Sequence, residues 1–408
     1  MELQKIIANI AAIVQLVVLL GPGIQGQLLT SIPQPSNTYV QVYALPVGQG
    51  DCTIIQCPSS GDIIVFDCGS SGANRIPPSY VQTFLGNNIN KVRYIFLTHA
   101  NKDHYNYLYE ITTWNNSSVT AVIVGGKKSD YSSANISNWL NNWNTLSKLY
   151  MVKNGMSCIS GVTNCIITNV RTPTSTISTN FCNNQNIQFN ILASNVGSTA
   201  NQKSIVMKIV HSSWSLLLSG DMEGPAATTI AMALTTTLKS KVYKISHHGA
   251  SSIANSAQWL GPIKPEQAFA SSGYAYGNCR HPTCVTINRI LALNTIIAAT
   301  SHALYCGGNP NMNYPTFQRS IFETSPTSTT ICFLTYSSAG SQPGSHCGTP
   351  PTLAASTGII DDDMLYKDDS IDEDDCNIMS GVMEHGGALP MAAFSTLVVI
   401  MLLLSFTL

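Results

Sequence analysis

Val92-Arg-Tyr-Ile-Phe-Leu97 runs without a break into Thr98-His99-Ala100-Asn101-Lys102-Asp103-His104. The first six residues are mostly β-branched, aromatic or aliphatic, which predicts a buried strand. The next seven predict a tight loop at its end. Two imidazoles and a carboxylate within six residues have the spacing of ligands to a zinc ion. Polar surface loops also carry His and Asp, so this run does not decide the matter alone.

Three further apolar runs end the same way. Ile63 to Phe66 leads into Asp67-Cys68-Gly69, Leu216-Leu-Leu-Ser219 into Gly220-Asp221, and Lys244-Ile-Ser into His247-His248-Gly249. Buried strands gain nothing from ionisable ends unless those ends converge. Further strands are expected over 39–45, 53–56, 119–124, 187–192, 204–210, 215–219, 241–245 and 296–303. Helices are expected over 79–85, 137–149, 226–234 and 285–293. Strand pairs alternating with helices predict two sheets covered by helices.

The order of these motifs resembles the metallo-β-lactamase superfamily. Within it, the resemblance is to the extracellular hydrolase domain of ComEC-like competence proteins and their free-standing relatives. It rests on Val47-Gly48-Gln49-Gly50-Asp51, Asp67 to Gly69, Thr98 to His104, Gly220-Asp221 and His247-His248-Gly249. Arg280-His281-Pro282 stands where that branch has Gly-His-Pro. Residues 38–336 are covered.

The resemblance implies an α+β fold, a four-layer αββα sandwich. It also implies a zinc centre, with manganese as the alternative metal. Asp103, His104, Asp221 and His247 would hold one ion; His99, Asn101 and the bridging Asp221 would hold the other. Asp67 would orient the ligand loop from behind, Asp103 would act in catalysis, and His248 and His281 would face the substrate or leaving group. Asn101 departs from the pattern, because the branch has Asp there and much of the superfamily has His. An amide oxygen is a neutral, weak ligand, so one tight ion and one weak ion are expected. His211 is the one other histidine between His104 and Asp221, and it is read as exposed in a hairpin turn.

The implied chemistry is hydrolysis by a metal-bound hydroxide. No Gly-x-Ser-x-Gly elbow suggests a serine nucleophile. The branch favours phosphodiesters, nucleic acid included. Charge agrees: residues 27–360 hold eighteen Lys and Arg against ten Asp and Glu, a net +8 suited to an anionic substrate. The rival readings are a non-catalytic binding module on a stalk and a carboxylic-ester or lactone hydrolase. No protein partner is implied.

The two ends read differently. In residues 1–26, Lys5 precedes an apolar run from Ile6 to Leu20 and glycines at 21, 23 and 26, which reads as a secretory signal peptide. Residues 337–380 begin rich in Ser, Pro, Gly and Thr. They then carry nine acids and one Lys over 361–375, as a disordered stalk does. Residues 381–408, small residues and then an apolar tail, read as a GPI-attachment signal or a C-terminal membrane anchor. The expected location is the extracellular face of the plasma membrane, or the secreted fraction. Twelve cysteines then predict disulfides rather than metal ligands. Cys52 with Cys68 across a hairpin, Cys158 with Cys165, and Cys279 with Cys284 are the local candidates. Asn115, Asn116 and Asn135 open glycosylation triplets.

Overall fold

The computed structural model describes residues 31–37, 40–45, 47–71, 77–153, 165–184, 186–250, 253–272 and 281–299, with strands at 320–323, 332–334 and 345–347. The first sheet contains β1 (Gln41–Ala44), β2 (Cys52–Gln56), β3 (Ile63–Cys68), β4 (Val92–Leu97), β5 (Ala121–Val124), β6 (Leu149–Val152) and β7 (Ile167–Asn169) in that order. A later strand, β14 (Ser320–Glu323), flanks β1. The second sheet runs outward from β8 (Ile187–Ala193) through β9 (Val206–His211), β10 (Trp214–Leu218), β11 (Val242–Lys244) and β12 (Gln267–Ala270) to β13 (Ile296–Ala299). Each sheet is mixed. β3 to β6 are parallel, as are β10 to β13, while the remaining neighbours pair antiparallel.

Strand alternation builds the layers. On β3, Ile64 and Phe66 join one core with Phe96 of β4, Phe189 of β8, Met207 of β9, Leu216 of β10 and Phe269 of β12. That core lies between the sheets. Ile63 and Val65 point the other way, into a second core. There they meet Val81, Phe84 and Leu85 of α1 (Pro78–Leu85), Tyr107 and Leu108 of α2 (Lys102–Glu110), and Ile136 and Leu140 of α3 (Ala134–Thr145). The outer face of the second sheet packs on α4 (Gly224–Ala233), α5 (Ala257–Ile263) and α6 (Cys284–Leu291) through Ile230, Trp259 and Ile290. The result is the αββα sandwich the motifs imply. Because β3, β5, β10 and β11 are covered on both faces, these parallel strands read as continuous apolar runs.

Some elements differ from expectation. The loop expected over 98–104 ends at Asn101, and Lys102 opens α2, so Asp103 and His104 sit in a helical first turn. Leu149, expected to close a helix, opens β6; the helix stops at Thr145, and Ser147 (φ 58°) turns the chain in the left-handed region. His211 is buried rather than exposed, because it ends β9 paired between Trp214 and Ile187. A short strand, β16 (Ser345–Cys347), pairs with β15 (Cys332–Leu334) and lies inside the segment read as stalk. The rest of that segment, the signal peptide and the C-terminal anchor fall outside the described residues. Among the described residues no helix is long and apolar enough to cross a membrane.

Cys52 and Cys68 form a disulfide at the mouth of the β2–β3 hairpin. A second disulfide, Cys57–Cys182, closes a separation of 125 residues that local spacing could not suggest. Cys165 is also disulfide-bonded. Cys158 and Cys279 lie outside the described residues, and so do both of the remaining local pairings.

Candidate metal centre

The parallel strands of both sheets release their C-terminal ends at one edge, where open α/β sheets collect ligands. Asp67 leaves β3, His99 follows β4, Asp221 follows β10, and His247 and His248 follow β11. Asp51 enters from the opposite direction, just before β2. Its turn packs against the start of α2, where the Asp51 amide donates to the Asp103 carbonyl at 3.1 Å. Gly50 makes this approach possible. At its φ of 149° a Cβ would stand 2.4 Å from the Gly69 carbonyl oxygen and 2.6 Å from that of Asp103.

Asp67 fixes the ligand loop. Its Oδ1 accepts the Thr98 amide, and its Oδ2 accepts the Thr98 hydroxyl, both at 2.7 Å. Oδ2 also accepts His104 Nδ1 at 2.9 Å. This leaves Nε2 as the His104 nitrogen facing inward, 3.0 Å from Asp221 Oδ2 and 3.2 Å from His248 Nε2. His248 is held in the same manner: Nδ1 donates to the Ser271 carbonyl at 2.7 Å, and Nε2 faces Asp221 Oδ2 at 3.2 Å and Asp103 Oδ2 at 3.0 Å. A partner that fixes the outer nitrogen of a ring and frees the inner one is the usual support of a metal-ligating histidine.

The backbone at this point is unusual. His247 and His248 are consecutive non-glycine residues with positive φ, 49° and 54°. Such conformations cost of order 1–3 kcal/mol each and persist only where the surroundings enforce them. Gly249 completes the turn; a Cβ on it would meet Pro282 Cβ at 2.4 Å. That contact brings His281 over the centre. Its ring stacks on His248 with centroids 6.5 Å apart, and Gln49 Nε2 lies 3.4 Å from its Nδ1.

Burial and charge set the protonation states. Burial alone would neutralise His104, but Asp221, Asp67 and Asp103 outweigh it and raise its pKa well above the ordinary value. His248 follows: burial opposes charge, yet Asp221 and Asp103 hold its pKa at about 10. Burial also acts against the Asp221 carboxylate, and His104, His248 and Lys244 together push its pKa well below normal. His99 differs. Burial, then His104, drive it well below the usual value, so it is neutral. The Thr98 hydroxyl gives its hydrogen to Asp67 and receives His99 Nδ1 at 2.9 Å, so Nε2 carries the His99 lone pair.

The donors fit a divalent metal. Asp51, His104, Asp221 and His248 each offer one atom, all within 4.8 Å of one another and all buried. Oδ1 of Asp51 is buried without a hydrogen bond, while its Oδ2 pairs with the Lys244 ammonium. Carboxylate oxygens and imidazole nitrogens suit zinc or manganese.

This grouping differs from the expected ligand sets. His248 is in it and His247 is not, although the His247 ring has the same kind of support, with its Nδ1 2.8 Å from Glu223 Oε2. Asp51 is in it, although the resemblance implied no ligand role for it. Asp103 lies at the rim, more exposed than the other carboxylates at 15% of its side chain. His99 Nε2 stands 3.9 Å from Asp221 Oδ2. Asn101 uses its amide nitrogen outside this group. It caps α2 with extended backbone, and its Nδ2 donates to Asn201 Oδ1 at 2.7 Å; Asn201 in turn donates to Glu223 Oε1 at 3.0 Å. Lys244 was also missed. Its signal was a lysine at the end of an apolar strand.

Comparison with known proteins agrees with the motif reading over part of the chain. Residues 45–119 match the family model described as the metallo-beta-lactamase superfamily. Competence protein ComA of Neisseria gonorrhoeae is 36% identical over 92 residues, 22% of this chain and 13% of that protein. This chain therefore spans a small part of that relative. Among solved structures, the metallo-beta-lactamase fold protein YhfI from Bacillus subtilis aligns with 70% of this chain and all of its own, at 8% identity and a TM-score of 0.40. Human tRNase Z, short form, aligns over 56% of this chain and 90% of its own, at 10% identity and a TM-score of 0.33. The diiron beta-hydroxylase CmlA from Streptomyces venezuelae aligns over 63% and 48%, at 13% identity and a TM-score of 0.34.

Proposed function

We propose that this chain, whose residues 45–119 match the metallo-beta-lactamase superfamily, is a metal-dependent hydrolase of phosphodiesters, secreted and tethered to the outer face of a membrane. The observation that carries the reading is the convergence of Asp51, His104, Asp221 and His248 within 4.8 Å in a buried setting. These four would hold the ion. A divalent metal bound there supplies Lewis acidity, which lowers the pKa of water and offsets charge developing on a phosphoryl oxygen.

The protein's own groups do the rest. Asp67 and Ser271 hold the His104 and His248 rings in register. Asp103, the carboxylate at the rim, is placed to accept a proton from an attacking water. If the Gln49 amide donates to His281 Nδ1, the ring carries its hydrogen on Nε2 and offers it to a leaving oxygen. A phosphodiester is favoured over an acyl ester by the +8 balance of residues 27–360 and by the likeness to a competence protein. Secretion and tethering rest on the composition of the two ends alone.

A substrate panel tests the reading. The full chain is assayed with zinc or manganese on bis(p-nitrophenyl) phosphate, single-stranded DNA, p-nitrophenyl acetate and a lactone. The expected result is phosphodiester turnover that a chelator abolishes. Turnover of acyl substrates alone would favour the ester hydrolase, and bound metal without turnover would favour the binding module.

A further inference from the structure

Ser246 to Ala250 carries the two consecutive left-handed histidines, His247 at φ 49° and ψ 48° and His248 at φ 54° and ψ 9°. Residues other than glycine stay in that region only where the surroundings hold them there. The restraint lies behind the turn, in a buried polar cluster that offers no atom to the metal-binding group. Asn255 is fully buried and donates both hydrogens of its amide. One goes to the Ser246 carbonyl at 3.0 Å and the other to the Ala250 carbonyl at 3.1 Å. Those carbonyls stand on either side of the left-handed pair, so one side chain ties its two ends together. Between them the Ala250 amide donates to the His247 carbonyl at 2.7 Å.

Tyr243 orients that amide. Its hydroxyl accepts the Ser246 amide at 2.9 Å and Trp259 Nε1 at 3.0 Å, and lies 3.2 Å from Asn255 Oδ1. The first two groups can only donate, so the hydroxyl gives its own hydrogen to Asn255 Oδ1. This fixes which end of the Asn255 amide faces the turn. Thr286 of α6 secures the Ala250 carbonyl a second time, at 2.7 Å. If the turn relaxed, buried donors would be left unpaired, and the cluster therefore favours one arrangement.

We infer that Asn255, oriented by Tyr243, is the positioning residue of the His247–His248 turn. It holds the pair left-handed, so that His248 Nε2 faces Asp221 and Asp103. The inference rests on the metal-centre reading above.

The test compares the full chain with Tyr243→Phe, which removes one buried oxygen, and Asn255→Leu, which removes both donors. Thr295→Val is the control. Thr295 is buried too, and its hydroxyl donates to the Pro265 carbonyl at 2.6 Å just before β13, at the opposite edge of the sheet. Zinc affinity is read by competition with a chromophoric chelator, beside the visible spectrum of the cobalt-loaded chain. Tyr243→Phe and Asn255→Leu should weaken zinc binding about 10- to 100-fold and shift the cobalt bands. Thr295→Val should lower stability to urea and leave both readings unchanged, as a purely structural role would. In the metal-free chain, hydrogen exchange at the Ala250 amide should be faster in both variants than in the wild type. Wild-type zinc affinity and cobalt spectrum in Tyr243→Phe would overturn the inference, whether or not Asn255→Leu folds. So would an equal loss of affinity in Thr295→Val, or unchanged exchange at Ala250. A wild-type chain that binds neither zinc nor cobalt would remove the metal-centre reading and this inference with it; the variant results remove this inference alone.

Discussion

The His104 side of the centre and the His99 side spring from one heptapeptide, yet they are furnished differently. His104 has Asp67 and Asp51 against its outer Nδ1, at 2.9 and 3.5 Å, and Asp221 and His248 against its inward Nε2, at 3.0 and 3.2 Å. His99 has the Thr98 hydroxyl behind it, and its inward nitrogen is 3.9 Å from the nearest oxygen of Asp221. The difference lies in where the helix begins. Asn101 is the extended residue before α2 and points to Asn201, whereas Asp103 and His104 share the first helical turn and point to the centre. Ligand spacing in sequence thus becomes a ligand set only through the local structure in which the residues lie.

Asp221 is where the two sides meet, so its loss should cost most. Asp221→Ala should abolish metal retention and turnover, and destabilise the chain by about 3–5 kcal/mol by leaving Lys244 and two histidines without their shared carboxylate. Metal analysis and urea unfolding check this; a stable variant with normal metal would show that the sides do not depend on Asp221. Next in size is the contrast of neighbours. His248→Gln should weaken zinc binding far more than His247→Gln, as titration with a competing chelator would show; the opposite order would restore the ligand set expected from sequence. Asp67→Asn acts behind the ligands and should lower zinc affinity about 10- to 100-fold. Asn101→Asp removes the hydrogen bond that Asn101 Nδ2 donates to Asn201 Oδ1 and should cost about 1 kcal/mol without raising the zinc count. A rise to two ions would mean that the His99 side was limited by that residue alone.

The smallest effect lies away from the centre. Asp130 accepts the Lys127 amide at 2.7 Å and pairs with Lys203 at 3.0 Å. Slight burial works against its charge, and the Lys127 amide and then Lys203 lower its pKa. A carboxylate whose folded pKa is depressed stabilises fully above its unfolded value of about 4 and loses that contribution as pH falls through the folded value. With both side chains partly exposed, Asp130→Asn should cost under about 1 kcal/mol at pH 7. That cost should fade below about pH 4, with zinc binding unaffected.

Much of this was legible in the residues. Asp67, His99, Asp221 and His247-His248 could be seen because an ionisable group ending an apolar strand is expensive unless it has company. Asp51 could not be assigned, because Gly-x-Gly-Asp is what an ordinary turn looks like; only tertiary packing against α2 buries it. Helix α2 was hidden by its composition: Tyr105, Tyr107 and Tyr109 lean towards strand, and packing of Tyr107 and Leu108 on the first sheet overrides that leaning. The strained turn that carries His247 and His248, and the Glu223 carboxylate that fixes the His247 ring, leave no periodic signature.

Anomalous diffraction at the zinc or manganese edge, from crystals of the metal-loaded chain, tests the central claim most directly. The account predicts one strong peak enclosed by Asp51, His104, Asp221 and His248. A peak enclosed instead by His99 and Asn101, two peaks of equal height, or none at this edge of the sandwich would contradict it.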